Sequence, residues 1–230
     1  MVLFSNDRSA EEVKRVNQQL EERHYEFRSN CNDGDGDASA CHSWGEWLAV
    51  VDKNYSDAAT MYKQNCDKNN YAASCFNLGR LKLAGKGVEM NDVEAANLFE
   101  KSCDGGHAQG CHHLGIMFMN GAGRDKDVTK GLEAFKRACD HDEANSCNRV
   151  ASMYLSATAK GPIKRDVPLA KQYLEKACDM NFAPACHNLA VMYKNGDEGV
   201  AQSEEKFEEY RKKTSMLIAE AGGMSGVKGA

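Results

Sequence analysis

The sequence predicts an all-α protein, built as a solenoid of consecutive helix pairs. Prolines are rare, with three in 230 residues, whereas the helix formers Ala, Lys, Glu and Leu are common. Cysteines recur after 37, 36 and 39 residues, at Cys66, Cys103, Cys139 and Cys178. A period in this range is typical of a helical repeat array. Gly-rich stretches such as NGAGRDKDV separate the segments with helical spacing and supply the loops within the pairs.

Composition and charge exclude several classes of partner. The net charge of −5 predicts that the protein does not bind nucleic acid, because contacts to phosphates need clustered Lys and Arg. No run of about 18 apolar residues occurs, so we expect no membrane insertion. The starting stretch MVLF is too short for a signal-peptide core, and Asp7, Glu11 and Glu12 are atypical of a mitochondrial presequence. We therefore expect no cleaved targeting segment.

Residues 1–38 are predicted to form an N-terminal capping helix and an acidic turn. Ser9 and Glu12 form a capping box that predicts a helix over 9–29. The turn CNDGDGDASAC resembles a calcium loop, but Ala38 stands at its sixth position and Trp44 at its twelfth, where such loops need Gly and Glu. A solvated acidic turn is the favoured interpretation.

Residues 39–220 are predicted to form five helix pairs. The first helices are expected at 39–50, 72–84, 108–120, 144–156 and 184–194. The second helices are expected at 54–67, 91–103, 128–140, 167–179 and 203–220. The tail 221–230, AGGMSGVKGA, is Gly-rich and is expected to be flexible.

All ten cysteines fall into close pairs. These are Cys31 with Cys41, Cys66 with Cys75, Cys103 with Cys111, Cys139 with Cys147, and Cys178 with Cys186. On one continuous helix, eight positions would separate two Cα atoms by ~12 Å, but a disulfide tolerates at most ~7 Å. Disulfides therefore require a chain reversal within each pair, and Gly105-Gly106, Asn69-Asn70 and Pro184 supply reversal signals.

Disulfides are the favoured interpretation of these pairs, and two alternatives stay open. Ten buried free thiols would pack as small apolar groups. Structural zinc sites would need four ligands at short spacing, and the sequence contains no C-x-x-C.

Two segments resemble the Sel1-like repeat, a TPR-like α/α unit: residues 95–127, AANLFEKSCDGGHAQGCHHLGIMFMNGAGRDKD, and residues 170–196, AKQYLEKACDMNFAPACHNLAVMYKNG. The small residue of the repeat is Gly79, Gly115, Ala151 or Ala190. The aromatic residue that follows it is Phe118, Tyr154 or Tyr193, with Leu83 departing from the pattern. The resemblance covers roughly 39–215 and implies a superhelical solenoid.

The cysteines make the chain similar to two cysteine-rich branches of this family. One contains Helicobacter-type secreted proteins once described as β-lactamases, which implies binding of β-lactam or peptidoglycan-like ligands. The other is the mitochondrial family of cytochrome c oxidase assembly factor seven, which the length, the five pairs and the leading C-x9-C fit better. That resemblance implies a monomeric intermembrane-space protein that serves complex IV assembly. Its implied partners are the assembly machinery and the oxidative import machinery, and haem is an implied ligand.

Disulfides and the expected lack of a secretory signal also agree with the intermembrane space. A secreted protein whose signal has been removed is the rival explanation.

Histidine follows the second cysteine of three pairs, at His42, His112 and His187. These residues are candidate haem ligands, and filling of a packed aromatic position is the alternative interpretation. His112 and Met119 share a helix face, yet their rise of ~10 Å exceeds the ~5 Å that separates the axial ligands of one iron. His107 and His113 are further candidate ligands. A haem carrier is accordingly a third hypothesis for the function.

Little in the sequence predicts an enzyme. The motif S-x-x-K occurs once, at Ser225 to Lys228, without companion motifs. Thiol–disulfide exchange would need an exposed cysteine of low pKa, and Cys31–Cys41 is the pair we would choose for it. Trp44 and Trp47 are interpreted either as packing against the capping helix or as an anchor for a protein partner.

Overall fold

The computed structural model describes residues 5–158 and 160–225, and within these ranges every regular element is a helix. The helices in chain order are α1 (Ser5–Cys31), α2 (Ala38–Val50), α3 (Tyr55–Asn69), α4 (Ala72–Ala84), α5 (Asp92–Asp104), α6 (Ala108–Asn120), α7 (Val128–Asp140), α8 (Ala144–Ser156), α9 (Val167–Asp179), α10 (Ala183–Asn195) and α11 (Glu204–Ser225). A short 3-10 turn, Asn32–Gly34, follows α1. The predicted all-α class with five helix pairs is confirmed.

The two terminal helices are longer than predicted. Helix α1 begins at Ser5, so the expected N-cap Ser9 lies inside it. Helix α11 continues to Ser225, because a glycine costs a helix only about 1 kcal/mol relative to alanine. Residues 226–230 of the predicted flexible tail lie outside the described residues.

The second helices of the pairs share one N-capping device. The side chains of Asn54, Asn91, Asp127 and Asp166 each accept a hydrogen bond from the backbone N–H three residues later. The caps satisfy donors that the first turn of a helix leaves without an intrahelical partner. They set where each of these second helices begins, and all four begin within one residue of the prediction.

The chain divides after Gly105 into two compact units. In the first unit α2 packs on α3 and α4 on α5, with Leu48, Tyr62 and Leu78 in one buried cluster. In the second unit α6 packs on α7, α8 on α9 and α10 on α11, around a core that contains Val150 and Leu189. Among the helices that the structure describes, none is both long enough and apolar enough to cross a membrane.

Within a pair, the first helix approaches the second through a glycine that faces an aromatic ring. Three such pairs occur: Gly45 with Tyr62, Gly79 with Phe99, and Gly115 with Phe135. A Cβ atom at these glycines would lie 2.6, 2.8 and 2.7 Å from the ring, closer than packed atoms come. Ala151 holds this position in α8, and at the ring position of α9 stands the smaller Leu174.

A lysine from the next pair caps the end of a second helix within each unit. Lys101 Nζ donates to the carbonyl oxygen of Cys66 at 2.6 Å, and Lys176 Nζ donates to that of Cys139 at 2.6 Å. Cations stabilise helix C-termini because the last carbonyl groups carry unbalanced negative charge. At Cys66 and Cys139 the backbone is therefore stabilised by a lysine hydrogen bond as well as by a disulfide.

Candidate functional site

Disulfides join the helix ends in the structure. The Cα–Cα distances are 4.5 Å for Cys31–Cys41, 4.9 Å for Cys66–Cys75, 4.7 Å for Cys139–Cys147 and 4.8 Å for Cys178–Cys186. Each bond connects the end of one helix to the first turns of the next, across the chain reversal that the spacing requires. Cys103 and Cys111 are disulfide-bonded as well.

The cysteines are buried in their folded units. All ten are at most 1% exposed, and this includes Cys31 and Cys41, the pair considered for thiol exchange. A thiolate from outside must reach a disulfide sulfur in order to attack it. The folded chain therefore presents these bonds as structural links. Among the described residues no group of three or more His, Cys, Asp or Glu side chains is arranged to hold a metal ion.

His112 is a buried, hydrogen-bonded side chain on α6. Its Nδ1 atom lies 2.6 Å from Ser146 Oγ on α8 and 3.4 Å from a carboxylate oxygen of Glu143, the N-cap residue of α8. Its ring packs against Phe135 at 5.5 Å and is 8% exposed. Burial lowers the pKa of His112, and the negative charge of Glu143 offsets part of this shift.

His42 occupies the same position in the first unit. Its Nδ1 atom lies 3.0 Å from Ser74 Oγ on α4, and its Nε2 atom lies 3.5 Å from Glu46. Asn65 Nδ2 donates to Ser74 Oγ at 2.8 Å, so the serine proton is free to be donated to His42 Nδ1. This arrangement favours the neutral tautomer with the proton on Nε2, facing Glu46. Burial lowers the pKa of His42.

In three pairs, the residue after the second cysteine thus links the first helix to the first helix of the next pair. In α8 it is Asn148, whose Oδ1 accepts from Asn188 Nδ2 of α10 at 3.0 Å. His187, at this position of the last pair, is exposed. The serine partners of these histidines were not predicted from the sequence, although a signal exists. Serine precedes the second cysteine in the pair that follows each histidine, at Ser74 and Ser146.

The structure does not bring His112 and Met119 together as an open ligand pair. Met119 is partly buried against the core and lies next to Gly131 of α7, where an added Cβ would be 2.9 Å from its Sδ atom. The side chains that cover His112 would have to be displaced before a haem could reach it. Haem binding through His112 and Met119 stays a prediction from the resemblance.

The other candidate histidines serve α6 itself. His107 is the N-cap of this helix, and its Nδ1 atom accepts from the Gly110 N–H at 3.2 Å. His113 Nδ1 lies 2.9 Å from the carbonyl oxygen of Gln109, one turn earlier. Of the S-x-x-K motif, Ser225 ends α11 and Lys228 lies outside the described residues.

Both tryptophans contact the capping helix. The ring of His24 on α1 lies 4.8 Å from that of Trp44 and 5.0 Å from that of Trp47. Arg28 adds a cation–π contact of 5.9 Å to Trp44. Both tryptophans therefore pack against the capping helix, which is the first of the two interpretations given from the sequence.

An open groove of about 410 Å³ lies between α8 and α10. We call it the α8–α10 groove, and its walls include Ser152, Leu155, Ser156, Asn188, Val191 and Met192. Val191 is 42% exposed in it. At one end Arg165 holds both carboxylate oxygens of Asp197 at 2.8 Å. This groove was not predicted from the sequence.

The groove offers a mixed surface to a ligand. Hydroxyl and amide groups can hydrogen-bond to a partner's backbone, and the apolar side chains can be covered by its side chains. The fold is that of a disulfide-linked helical repeat protein, and the groove is an open surface on its helices.

The model of the Sel1 repeat matches residues 72–107, 108–143, 144–182 and 183–206. The chain belongs to the Sel1 repeat family. This finding confirms the resemblance stated from the residues of the repeats.

Curated relatives carry a more specific name. A segment of 67 residues is 40% identical to cytochrome c oxidase assembly factor 7 of Xenopus tropicalis, covering 29% of this chain and 29% of that protein. A segment of 95 residues is 33% identical to the protein of the same name from Danio rerio, covering 41% of each chain. The chain is thus matched to well under half the length of these relatives.

A solved structure agrees with the fold. The Sel1 repeat protein of Oxalobacter formigenes aligns with a TM-score of 0.76 at 21% identity, covering 87% of this chain and 83% of that one. At this level of identity the likeness supports the fold alone.

Proposed function

We propose that the protein is a non-enzymatic factor for the assembly of cytochrome c oxidase, complex IV, in the mitochondrial intermembrane space. The observation that carries the proposal is the combination of ten disulfide-bonded cysteines with a Sel1 repeat chain. Its similarity to cytochrome c oxidase assembly factor 7 in several animals, over part of the chain, supports the same conclusion.

The disulfides support the compartment. Such bonds persist where thiols are oxidised and are rare where glutathione keeps them reduced. A chain of this kind needs an oxidative machinery to form its bonds, and that machinery is one proposed partner. The proteins that build complex IV are the other.

We place partner binding in the α8–α10 groove. Its exposed Val191 and the amide of Asn188 lie side by side on α10, and a bound segment would cover the first and hydrogen-bond to the second. Binding of this kind uses the rigid helices as a platform and requires no chemistry from the chain.

Loss of the protein from its native cell tests the function. We expect complex IV activity to fall more than complex I activity. Re-expression of the wild-type chain should restore complex IV activity. Fractionation with protease protection should place the protein between the two mitochondrial membranes. Normal complex IV activity would contradict the assembly role, and secretion of the protein would favour the alternative of a secreted ligand-binding protein.

A matched pair of variants tests the groove. Val191→Asp puts a charge into the groove, whereas Val93→Asp puts the same charge on α5 at a valine that is 58% exposed. We expect Val191→Asp to lose the partners recovered by cross-linking in mitochondria and to fail to restore complex IV. Val93→Asp should behave as wild type. Equal recovery of partners by both variants would exclude the groove as the binding surface.

A further inference from the structure

Two buried histidines hold equivalent places between consecutive helix pairs. His42 connects α2 to Ser74 of α4, and His112 connects α6 to Ser146 of α8. The two residues of each bond are 32 and 34 positions apart in the sequence, about one repeat. In a repeat array, stability depends on such contacts between neighbouring units.

We propose that His42 and His112 make the coupling between consecutive helix pairs acid-labile, so that protonation loosens α2 from α4 and α6 from α8. A neutral His42 ring with its proton on Nε2 can accept the proton of Ser74, whose oxygen already accepts from Asn65. A protonated ring has no acceptor atom. Two N–H donors would then point at the same serine oxygen, and the serine proton would need a new acceptor.

The groups around each ring determine whether the charged or the neutral imidazole is favoured. Around His42, Glu46 on the same helix favours the charged ring, while Tyr62 of α3 and Tyr71 at the start of α4 supply neutral aromatic surfaces at 5.8 and 5.2 Å. Glu46 is half-exposed, so its charge is screened by water. Burial is the larger influence and lowers the pKa of His42.

Around His112 the groups come from three helices. Glu143 at the start of α8 favours the charged ring, whereas His113 on α6 and Arg149 on α8 oppose it, and Phe135 of α7 contributes a neutral ring. Burial again has the largest influence, and the pKa of His112 is lowered. Helix α8 is also one wall of the α8–α10 groove, which is lined by the later turns of this helix.

The sign of the pH dependence follows from these directions. The unfolded chain titrates its histidines near a pKa of about 6.5, whereas both folded pKa values lie below that value. The unfolded state therefore binds more protons in the interval between these values. The contribution of each histidine to stability is present above pH ~6.5 and is lost as the pH falls through the folded pKa.

The chain offers matched variants for a test. Asn148 stands at the same position of α8 and makes an uncharged link to Asn188, so His42→Asn with His112→Asn keeps a polar group that cannot be protonated. His187→Asn changes the exposed histidine at the same position of the last pair. Urea unfolding of the disulfide-bonded chain is measured at several pH values between 7.5 and 5.

We expect the midpoint urea concentration of the wild type and of His187→Asn to fall together as the pH is lowered. In the double variant, the decrease in the midpoint urea concentration over the same pH range should be less than half as large. The same acid sensitivity in all three proteins would overturn the proposal.

A measurement on the wild type alone guards against a double variant that does not fold. NMR titration of the imidazole protons should give pKa values for His42 and His112 below about 6.5, the ordinary value of an imidazole. Values for His42 and His112 at or above about 6.5 would overturn the proposal even without variants.

Discussion

Gly115 illustrates how single residues set the distance between the two helices of a pair. A Cβ atom here would lie 2.7 Å from the ring of Phe135, which is 1% exposed and cannot move away freely. In the next pair Ala151 stands at the glycine position and Leu174 at the ring position, so the added methyl group is matched by a narrower partner. The sizes at the two positions are therefore complementary.

Gly115→Ala is expected to destabilise the protein by about 1–3 kcal/mol, because the new methyl group overpacks a close contact. Adding Phe135→Leu reproduces the combination of Ala151 and Leu174, and it should recover part of the loss. A double-mutant cycle by urea unfolding measures the coupling between the two positions. Simple additivity of the two changes would show that the residues do not share a contact.

At the scale of helices, lysine caps act alongside the disulfides. Lys176 of α9 donates to the Cys139 carbonyl at the end of α7 and lies 3.5 Å from Asp142 in the following loop. Lys101 of α5 does the same for α3. In each case a charged lysine side chain from one pair donates to a carbonyl group in the last turn of a helix of the preceding pair, where that carbonyl would otherwise lack a partner.

Lys176→Met should lower the free energy of unfolding by about 1 kcal/mol, since a charged hydrogen bond is lost at a half-exposed position where water screens its strength. Lys130→Met is the matched control, because the Lys130 side chain is 67% exposed and its partner Asp127 is 4.0 Å away. Urea unfolding of the two variants compares them. If both lose the same amount, the cap contributes nothing of its own.

At the scale of the whole molecule, the ten cysteines are predicted to react only after unfolding. Their exposed fractions are at most 1%, so a reductant in solution reaches the sulfurs only when a unit opens. We expect alkylation with mass spectrometry to find no free thiol in the native, unreduced protein. With dithiothreitol present, labelling should accelerate when urea unfolds the chain. Rapid labelling of Cys31 and Cys41 in the absence of urea would instead support an exchange role for that pair.

Removing a disulfide has a calculable effect on the same scale. Replacing Cys178 and Cys186 by serine opens a short loop, with a sequence separation of 8, and is expected to cost about 2–3 kcal/mol on the chain-entropy model. Thermal unfolding of the oxidised variant and wild type gives the difference. An unchanged melting temperature would show that the core packing around Cys178 and Cys186 holds this reversal without the bond.

Most of the fold was predictable from the sequence because the signals are local. Helix α4 runs from Ala72 to Ala84 and α6 from Ala108 to Asn120, as predicted, because their ends are marked by glycines and turn residues within the same segment. The errors fell on α1 and α11, the first and last of the described helices. The groove and the partners of His112 were not predictable in this way.

By itself the sequence determined the all-α class, the five helix pairs and the reversals between paired cysteines, because periodicity, turn residues and short loops act over about 20 residues or fewer. Only the tertiary structure decided that His42 and His112 bond to serines and that α8 and α10 enclose a groove. Those contacts join residues 32 to 40 positions apart. Their geometry depends on how one helix pair packs on the next, which no local pattern specifies.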